Sequence, residues 1–423
     1  FLGFYAHRAK KHYYVDGHER DDVVQHRKQF LEEMSTYSKR MDFYEGENMD
    51  EVLSQRDESL KKVVYIVHDE TTLYANDASY IIWSEYGQCD AIRPKTNGSS
   101  LMVSGFCCPC HGLYKSSVLI PDEDGVCESK EYCSYQIIRP GKHRDGYWTN
   151  DDLVQQLERV IPVMEALHPG CELLFAFDNS QNHHALKSDA LSANRLNLSD
   201  GGKGVSPLRN TQYFCMLTNS VVEQQMQLEN GTQKGIRTIL KERGLWDFLE
   251  HKQLMCKSCT DGKPSGSVYC CARNLLRNQP DFVAQKEWLR EVVEGNGHKI
   301  IYFPKFHCEL NFIEMIWGFL KKKLRDECTF SFADLEQRVP RILSDEIPIS
   351  FVRKAARYCF RFMNGYQLGM QGPLLDYAMR QYRGHRMFPS DFVLADFTKK
   401  YESYVKSSMA KLGPQFGKLI QQK

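Results

Sequence analysis

Four short apolar runs, each bounded by polar residues, set the frame of the chain. KKVVYIVHDE carries the β-branched run Val63-Val64-Tyr65-Ile66-Val67, a buried-strand pattern, with Asp69 just past its end. SLMVSGFCC (100–108) is a second strand. Leu173 to Phe177 of CELLFAFDNSQNHH is a third, with Asp178 at its exit, and KIIYF (299–303) a fourth. Between the second and third, TNDDLVQQLERVIPVMEALHPG opens on an N-cap choice of Thr149 or Asn150, keeps helical period to Leu167 and stops at Pro169-Gly170. After KIIYF, the residues Ile313, Ile316, Trp317, Leu320 and Leu324 make one stripe of a helix whose other face holds Glu314, Gly318, Lys321 and Arg325. HHALKSDALSANRL reads as a short helix, KGIRTILKERGLW as another, and PDFVAQKEWLREVVEGNG as a long one.

Strands first and helices interleaved later predict one mixed α/β core, a mixed sheet flanked by helices, carrying an insertion. Residues 1–57 are charged, helical from about Asp21, and read as a linker; 58–200 with 299–330 form the core. Residues 201–298 form a cysteine-containing insertion, and 331–423 a mainly helical tail rich in arginine and aromatics. The chain has 423 residues, 42% hydrophobic and 26% charged, with a formal net charge of +1, so any polyanion site must come from local clusters. No apolar run approaches the roughly 18 residues of a membrane span, which argues against a membrane partner. Fifteen cysteines without a secretory leader predict a reducing, intracellular setting and metal ligation in place of disulfides.

In an open α/β sheet, residues at strand ends line the crevice where ligands bind, and a carboxylate there is costly unless paired, hydrogen-bonded or metal-bound. Taken singly, Asp69 or Asp178 reads equally as a turn or capping residue, and Glu314 as a solvated helix acid. The order of the three, on strand, strand and helix, singles them out.

That order resembles the plan of the RNase H-like nucleotidyltransferases, and the details are similar to the mariner-like branch of DDE transposases. VVYIVHDETTLY is similar to that family's first-acid strand, with Trp83, the RPK at 93–95 and MVSGF at 102–106 following where its next strands carry like residues. FAFDNSQNHH looks like its second motif. LNFIEMIWGFLKKKL resembles its Leu-Asn-Pro-Ile-Glu motif with a following Trp, except that Phe312 stands in place of Pro, which loosens the helix start and leaves Glu314 in place. VDGHERDDVVQHR, HRDGYWTNDDL and PKFHCELN look like a subgroup described only as DDE-superfamily endonucleases. The resemblance implies an RNase H-like fold with Asp69, Asp178 and Glu314 as catalytic ligands of two Mg²⁺ (or Mn²⁺) ions, Asp69 between them. Asn179, His183, Asn311 and Trp317 are their implied neighbours. It further implies a DNA endonuclease and strand transferase acting on double-stranded DNA, both transposon ends and target, as a homodimer, in the nucleus of a eukaryotic host. An N-terminal DNA-binding region is implied as well, and FLGFYAHRAKK resembles its last turn. The acids are 178 − 69 = 109 and 314 − 178 = 136 positions apart, and the second interval is longer than in mariner-like enzymes, which places the insertion there.

CKSCTDGKPSGSVYCC sets Cys256 and Cys259 at zinc-knuckle spacing. Cys270 and Cys271 complete a candidate structural Zn²⁺ set, although neighbours in sequence seldom both reach one tetrahedral ion, and His251 is the alternative. CCPCH (107–111) with Cys127 and Cys133 is a weaker group. FVRKAARYCFRF spaces Arg353, Arg357 and Arg361 along one helix face beside Lys354, with aromatics interleaved. With Lys321 and Arg325 these arginines are candidates for the DNA backbone, as are RPGKHR (139–144) and RQYRGHR (380–386). Two other readings remain open: a domesticated, transposase-derived protein that binds DNA without cleaving it, and an RNase H-like nuclease of RNA–DNA hybrids, which fits the three acids but not the flanking motifs.

Overall fold

The run Val63–Val67 is apolar at every position because both faces of its strand are covered. The computed structural model describes residues 17–54, 59–79, 93–121, 127–202, 204–215, 218–262, 266–382, 388 and 394–411. Among them, six strands form one mixed sheet: β1 (Val63–Tyr74), β2 (Ser100–Cys108), β3 (Gly112–Leu113), β4 (Tyr135–Ile138), β5 (Glu172–Phe177) and β6 (Lys299–Tyr302). β6, β5 and β1 lie side by side in parallel, β2 is antiparallel to β1, and β3 and β4 both pair antiparallel with β2. The longer helices are α1 (Asp21–Ser38), α2 (Asn150–Leu167), α3 (Ile313–Asp326), α4 (Phe332–Arg341), α5 (Ile349–Gln367), α6 (Gly372–Gln381) and α7 (Leu394–Lys411).

Tyr65, Val67, Leu174 and Ala176 share one buried cluster with Phe30 and Met34 of α1, with the whole predicted stripe of α3, and with Ala355, Cys359 and Phe362 of α5. The alternate residues Val64, Ile66, Phe175 and Phe177 leave the sheet on its other face and are buried as well. On that side α2 buries Leu153, Leu157 and Val160, and its Gln156 accepts from the Ser104 hydroxyl of β2 at 2.6 Å. Thr149 is the α2 N-cap: its hydroxyl accepts from the Asp152 amide while the Asp152 carboxylate accepts from the Thr149 amide.

The mixed α/β architecture agrees with the expectation, and several details differ. β1 outruns its apolar stretch, because pairing with β2 continues from Asp69↔Gly105 to Tyr74↔Ser100 after β5 has ended. Asp69 therefore lies within a strand. Residues 17–54 are no linker, since α1 is packed into the main core. A second compact unit runs from His184 to Glu291, against the 201–298 expected for the insertion. It starts earlier because Leu191, Ala193 and Leu196 belong to one cluster with Ile236, Leu240, Trp246 and Leu275. Within it, HHALKSDALSANRL is mostly turns around a single 3-10 turn, Ala193–Arg195, as the Arg195 guanidinium takes the Leu186 and Ser188 carbonyls, each at 2.9 Å, that a helix would use. PDFVAQKEWLREVVEGNG splits into Pro280–Val283 and Trp288–Gly295; between them the Gln285 side chain accepts from the Leu191 amide at 2.9 Å and donates to Glu291 at 2.7 Å.

In the first unit, a buried polar cluster joins three distant stretches. One oxygen of Glu309 accepts from the Tyr366 hydroxyl of α5 at 2.6 Å, lies 2.6 Å from His307 Nδ1 and 3.4 Å from His18 Nε2. Arg27 of α1 reaches His307 at 3.3 Å and Glu19 at 3.1 Å. GHERDDVVQHR (17–27) and PKFHCELN are thus two halves of one packed feature. Gly17 belongs to it too: a Cβ there would collide with the Phe306 ring. Burial alone would raise the Glu309 carboxyl, but hydrogen bonds from His18, His307 and Tyr366 hold it down at about 2 from an ordinary value of 4.5. A depressed carboxylate stabilises the fold above its unfolded value, here by roughly 3 kcal/mol, and loses that contribution as the pH falls through the folded value. Glu309→Gln should therefore lower the urea midpoint clearly at pH 7 and much less at pH 3; an equal loss at both would contradict the linkage.

Candidate active site

Asp69 and Asp178 stand at one level of adjacent strands. β1 and β5 pair in parallel up to Val67↔Ala176, and each acid follows two positions later. Alternation therefore sends both carboxylates out on the sheet face that α3 covers. Glu314 lies in the first turn of α3, and Trp317, one turn on, donates its indole N–H to Asp69 Oδ2 at 3.1 Å. The three carboxylates line one cleft of about 320 Å³, together with Asn179, Ser180, Lys305, Phe306 and Asn311.

Asn311 sets the start of α3 against the sheet. Its amide donates to the His68 carbonyl, one residue before Asp69, at 3.2 Å, and its oxygen accepts from the Ile313 amide at 3.4 Å. Phe312 does not loosen that start: it sits at φ −70°, which a proline would also hold, and its buried ring packs 6.0 Å from that of Tyr65. Gly105 faces Asp69 in the register, and a Cβ there would lie 3.0 Å from the Trp317 ring. A larger residue in place of the glycine of MVSGF would crowd the indole that bonds the aspartate.

His183 is buried between two carboxylates, with Nδ1 on Asp178 Oδ1 and Nε2 3.5 Å from Glu70. Burial opposes its charge, yet Asp178 and Glu70 raise it to about 10, so it stands as a cation behind the second acid. Asp178 is lowered in return, against its own burial. Asp69 is pushed well above the usual carboxylate range by burial and then by the charges of Glu314, Glu70 and Asp178. Burial also raises Glu314, with Lys321 pulling the other way. Beneath, the buried His68 lies 2.9 Å from the Ser104 hydroxyl, which continues to Gln156 of α2.

Glu70 and His26, whose ring nitrogen lies 3.4 Å from the Asn179 amide, escaped the reading of the sequence. The available signals were the acidic pair in VHDET and the place of His26 in VDGHERDDVVQHR. Among the described residues no lysine or arginine forms an ion pair with Asp69, Asp178 or Glu314. Three hard oxygen donors lining one cleft without a lysine or arginine paired to them are a donor set that fits Mg²⁺ or Mn²⁺.

The expected DNA-backbone arginines of α5 are used inside the fold. Arg353 donates to the carbonyls of Pro109 at 3.1 Å, Met49 at 2.9 Å and Cys110 at 3.4 Å. Arg357 is buried against Glu45 at 2.8 Å, and Arg361 is buried and donates to the Tyr382 carbonyl. The helix face that reads as solvated is covered by neighbouring chain. Arg325 holds Asp77 through two bonds of its Nε, at 3.0 and 2.9 Å. Arg139 of RPGKHR pairs with Glu336. Lys321 remains half-buried beside Glu314, and Lys305 is exposed at the cleft. Trp83, FLGFYAHRAKK and most of RQYRGHR lie outside the described residues.

In the second unit, the sulfurs of Cys256, Cys259, Cys270 and Cys271 all lie within 4.8 Å of one another. Cys270 is 3.7 Å from Cys256, 3.6 Å from Cys259 and 3.7 Å from Cys271. Tetrahedral zinc with Zn–S near 2.3 Å sets its sulfurs about 3.8 Å apart. The adjacent pair thus does reach one point, contrary to the expectation, because Cys271 is the extended N-cap of the helix Ala272–Arg277. His251 is exposed and outside the group.

No protein-family model matches this chain, and no curated protein does. Among solved structures it is similar to the Mos1 transposase paired-end complex with left transposon end, at 9% identity and a TM-score of 0.41, over 86% of this chain and 66% of that one. It is similar to the Mos1 mariner paired end complex with Mn at 9% identity and a TM-score of 0.42, over 86% and 67%. The Mos1 Strand Transfer Complex matches at 10% identity and a TM-score of 0.39, over 86% and 65%. The chain spans about two thirds of the length of the transposase chains it matches.

The Asn311 link gives a direct expectation. Asn311→Ala leaves the buried His68 carbonyl without its donor and should cost ~1–3 kcal/mol in urea unfolding; an unchanged midpoint would remove Asn311 from this role.

Proposed function

We propose that this chain is the catalytic region of a metal-dependent DNA endonuclease and strand transferase of the mariner-like DDE type. The observation that carries the reading is the meeting of Asp69, Asp178 and Glu314 on one cleft, each held by the neighbour that the motif places beside it. The three carboxylates would hold two divalent ions, whose chemistry is to stabilise the attacking and leaving oxygens of an in-line displacement at phosphorus. The chain's own work is positioning. Trp317 fixes the orientation of Asp69, His183 that of Asp178, and Asn311 the position of the start of α3 against β1. Lys305 and Lys321 bring positive charge to the cleft for a phosphate backbone. In this reading the substrates are transposon ends and target DNA, and the setting is the nucleus of a eukaryotic host. A binding protein that had given up cleavage would gain nothing from keeping costly carboxylates and their supporting hydrogen bonds in a cleft.

Alanine at Asp69, Asp178 or Glu314 should reduce Mg²⁺- or Mn²⁺-dependent nicking of supercoiled plasmid to the level seen with EDTA, while DNA binding in a gel-shift assay stays nearly intact. Trp317→Phe, which removes the hydrogen bond to Asp69 and leaves a smaller ring in the core, should weaken metal-dependent nicking roughly 10–100-fold. Substantial cleavage by the Asp178→Ala protein would end the assignment.

We infer further that the four cysteines of the second unit hold a structural zinc ion, in a closed site with no open position. Cys256→Ser/Cys259→Ser should lose one equivalent of zinc per chain by elemental analysis and gain trypsin cleavage within 184–291. Unchanged zinc content in that variant would rule the site out.

A further inference from the structure

We propose a second structural zinc site in the first unit, formed by Cys108, Cys110 and His168, with His111, which lies beside Cys108 but outside that tightest group, as the fourth ligand. It is independent of the nuclease reading and of the four-cysteine cluster.

CCPCH contains only part of this set; the missing ligand is a histidine almost sixty positions away, which closes α2. His168 is the C-cap residue of that helix, and its Nε2 lies 3.9 Å from Cys108 Sγ. His111 Nδ1 lies 3.8 Å from the same sulfur. The ligand atoms of Cys108, Cys110 and His168 all fall within 4.8 Å of one another, and the two imidazole centroids are 4.8 Å apart. A zinc ion with Zn–S near 2.3 Å and Zn–N near 2.0–2.1 Å places sulfur and nitrogen ligands about 3.6 Å apart. Cys133 is exposed and outside this group, and the side chain of Cys127 lies outside the described residues.

The backbone is arranged as a ligand turn. The β2–β3 hairpin turns through Cys108-Pro109-Cys110-His111 into Gly112 at φ +73°, a left-handed position that suits glycine. The His111 amide donates to Cys108 Sγ at 3.3 Å, the kind of bond that supports a thiolate ligand. Arg353 holds the Pro109 and Cys110 carbonyls from behind. Neighbouring cysteines part company here: Cys107 packs in the main core with Val67, while Cys108, on the other sheet face, meets the two histidines. Two thiols and two imidazoles, without a carboxylate among them, make a donor set for zinc and not for Mg²⁺. The bound ion would tie the end of β2 to the end of α2, the helix whose Gln156 supports Ser104 and His68 beneath the cleft.

The test is zinc content of the full chain after passage over a weak chelator. The wild type should carry two equivalents, and His168→Gln and Cys256→Ser/Cys259→Ser one each. An unchanged zinc content in His168→Gln overturns the second site, whatever the four-cysteine cluster does. Because a variant can unfold, the wild type gives a separate readout by alkylation mapped with mass spectrometry. Cys110, which is only partly buried, should resist alkylation until a strong chelator is added; equal labelling before and after also overturns the site.

Discussion

The parallel register of β1 and β5 is the constraint on which the rest of this molecule turns. Pairing Val67 with Ala176 puts Asp69 and Asp178 at one height and on one face, because alternation leaves no other choice. A slip of a single residue would send one carboxylate to the face of α2, among Phe106, Phe175 and Phe177. What holds the register is ordinary: five consecutive apolar residues in β1 and five in β5, buried on both sides. The costly chemistry at the strand ends is supported by inexpensive chemistry before them.

Glu314 requires a different device, since a helix can slide and rotate where a hydrogen-bonded strand cannot. Asn311 restrains it by touching β1 and α3 at once, and Trp317 restrains it by lying buried while bonded to Asp69. The loop before α3 is restrained in turn by the cluster around Glu309, which draws on α1 and α5. Within that loop Phe306 adopts φ +65°, an uncommon conformation for an aromatic residue, beside the cleft and against Gly17. Gly17 to Arg27 are therefore part of the scaffold of the site.

Much of this was legible in the sequence, for reasons that are local. Buried runs announce strands and the stripe of α3 announces its inward face; both follow from periodicities set by the backbone. Asp69 and Asp178 stood out as acids just beyond apolar runs, and Glu314 as the acid on the polar face of the α3 pattern. The role of Arg353, Arg357 and Arg361 was not legible, because a helical wheel shows which residues share a face and is silent about what covers it. Three arginines in a row along α5 look like a surface for phosphates, and each is instead taken up by a carbonyl or carboxylate from elsewhere in the chain. The same blindness hid Glu70 and His26, whose partners lie more than a hundred positions away. It also made HHALKSDALSANRL look helical, since nothing local reveals that Arg195 claims the carbonyls.

The cysteines carry this argument one step further. Spacing identifies a pair of ligands when both sit on one turn, as Cys256 and Cys259 do, and it says little of a ligand supplied by a distant element. Cys270 and Cys271 seemed too close to serve together, and His168 carried no mark at all; in each case the backbone direction at the ligand decides, and tertiary packing sets that direction. The donor types nonetheless sort themselves. In the proposed assignments the three carboxylates line an open cleft, while the thiols stand at a hairpin turn and at helix ends. Hard ions that must exchange water and soft-tolerant ions that must not would thereby be kept to separate places. In that reading, an open reactive cation site leaves little room for flexible supports around it, and closed zinc clamps would rigidify the fold without adding reactivity.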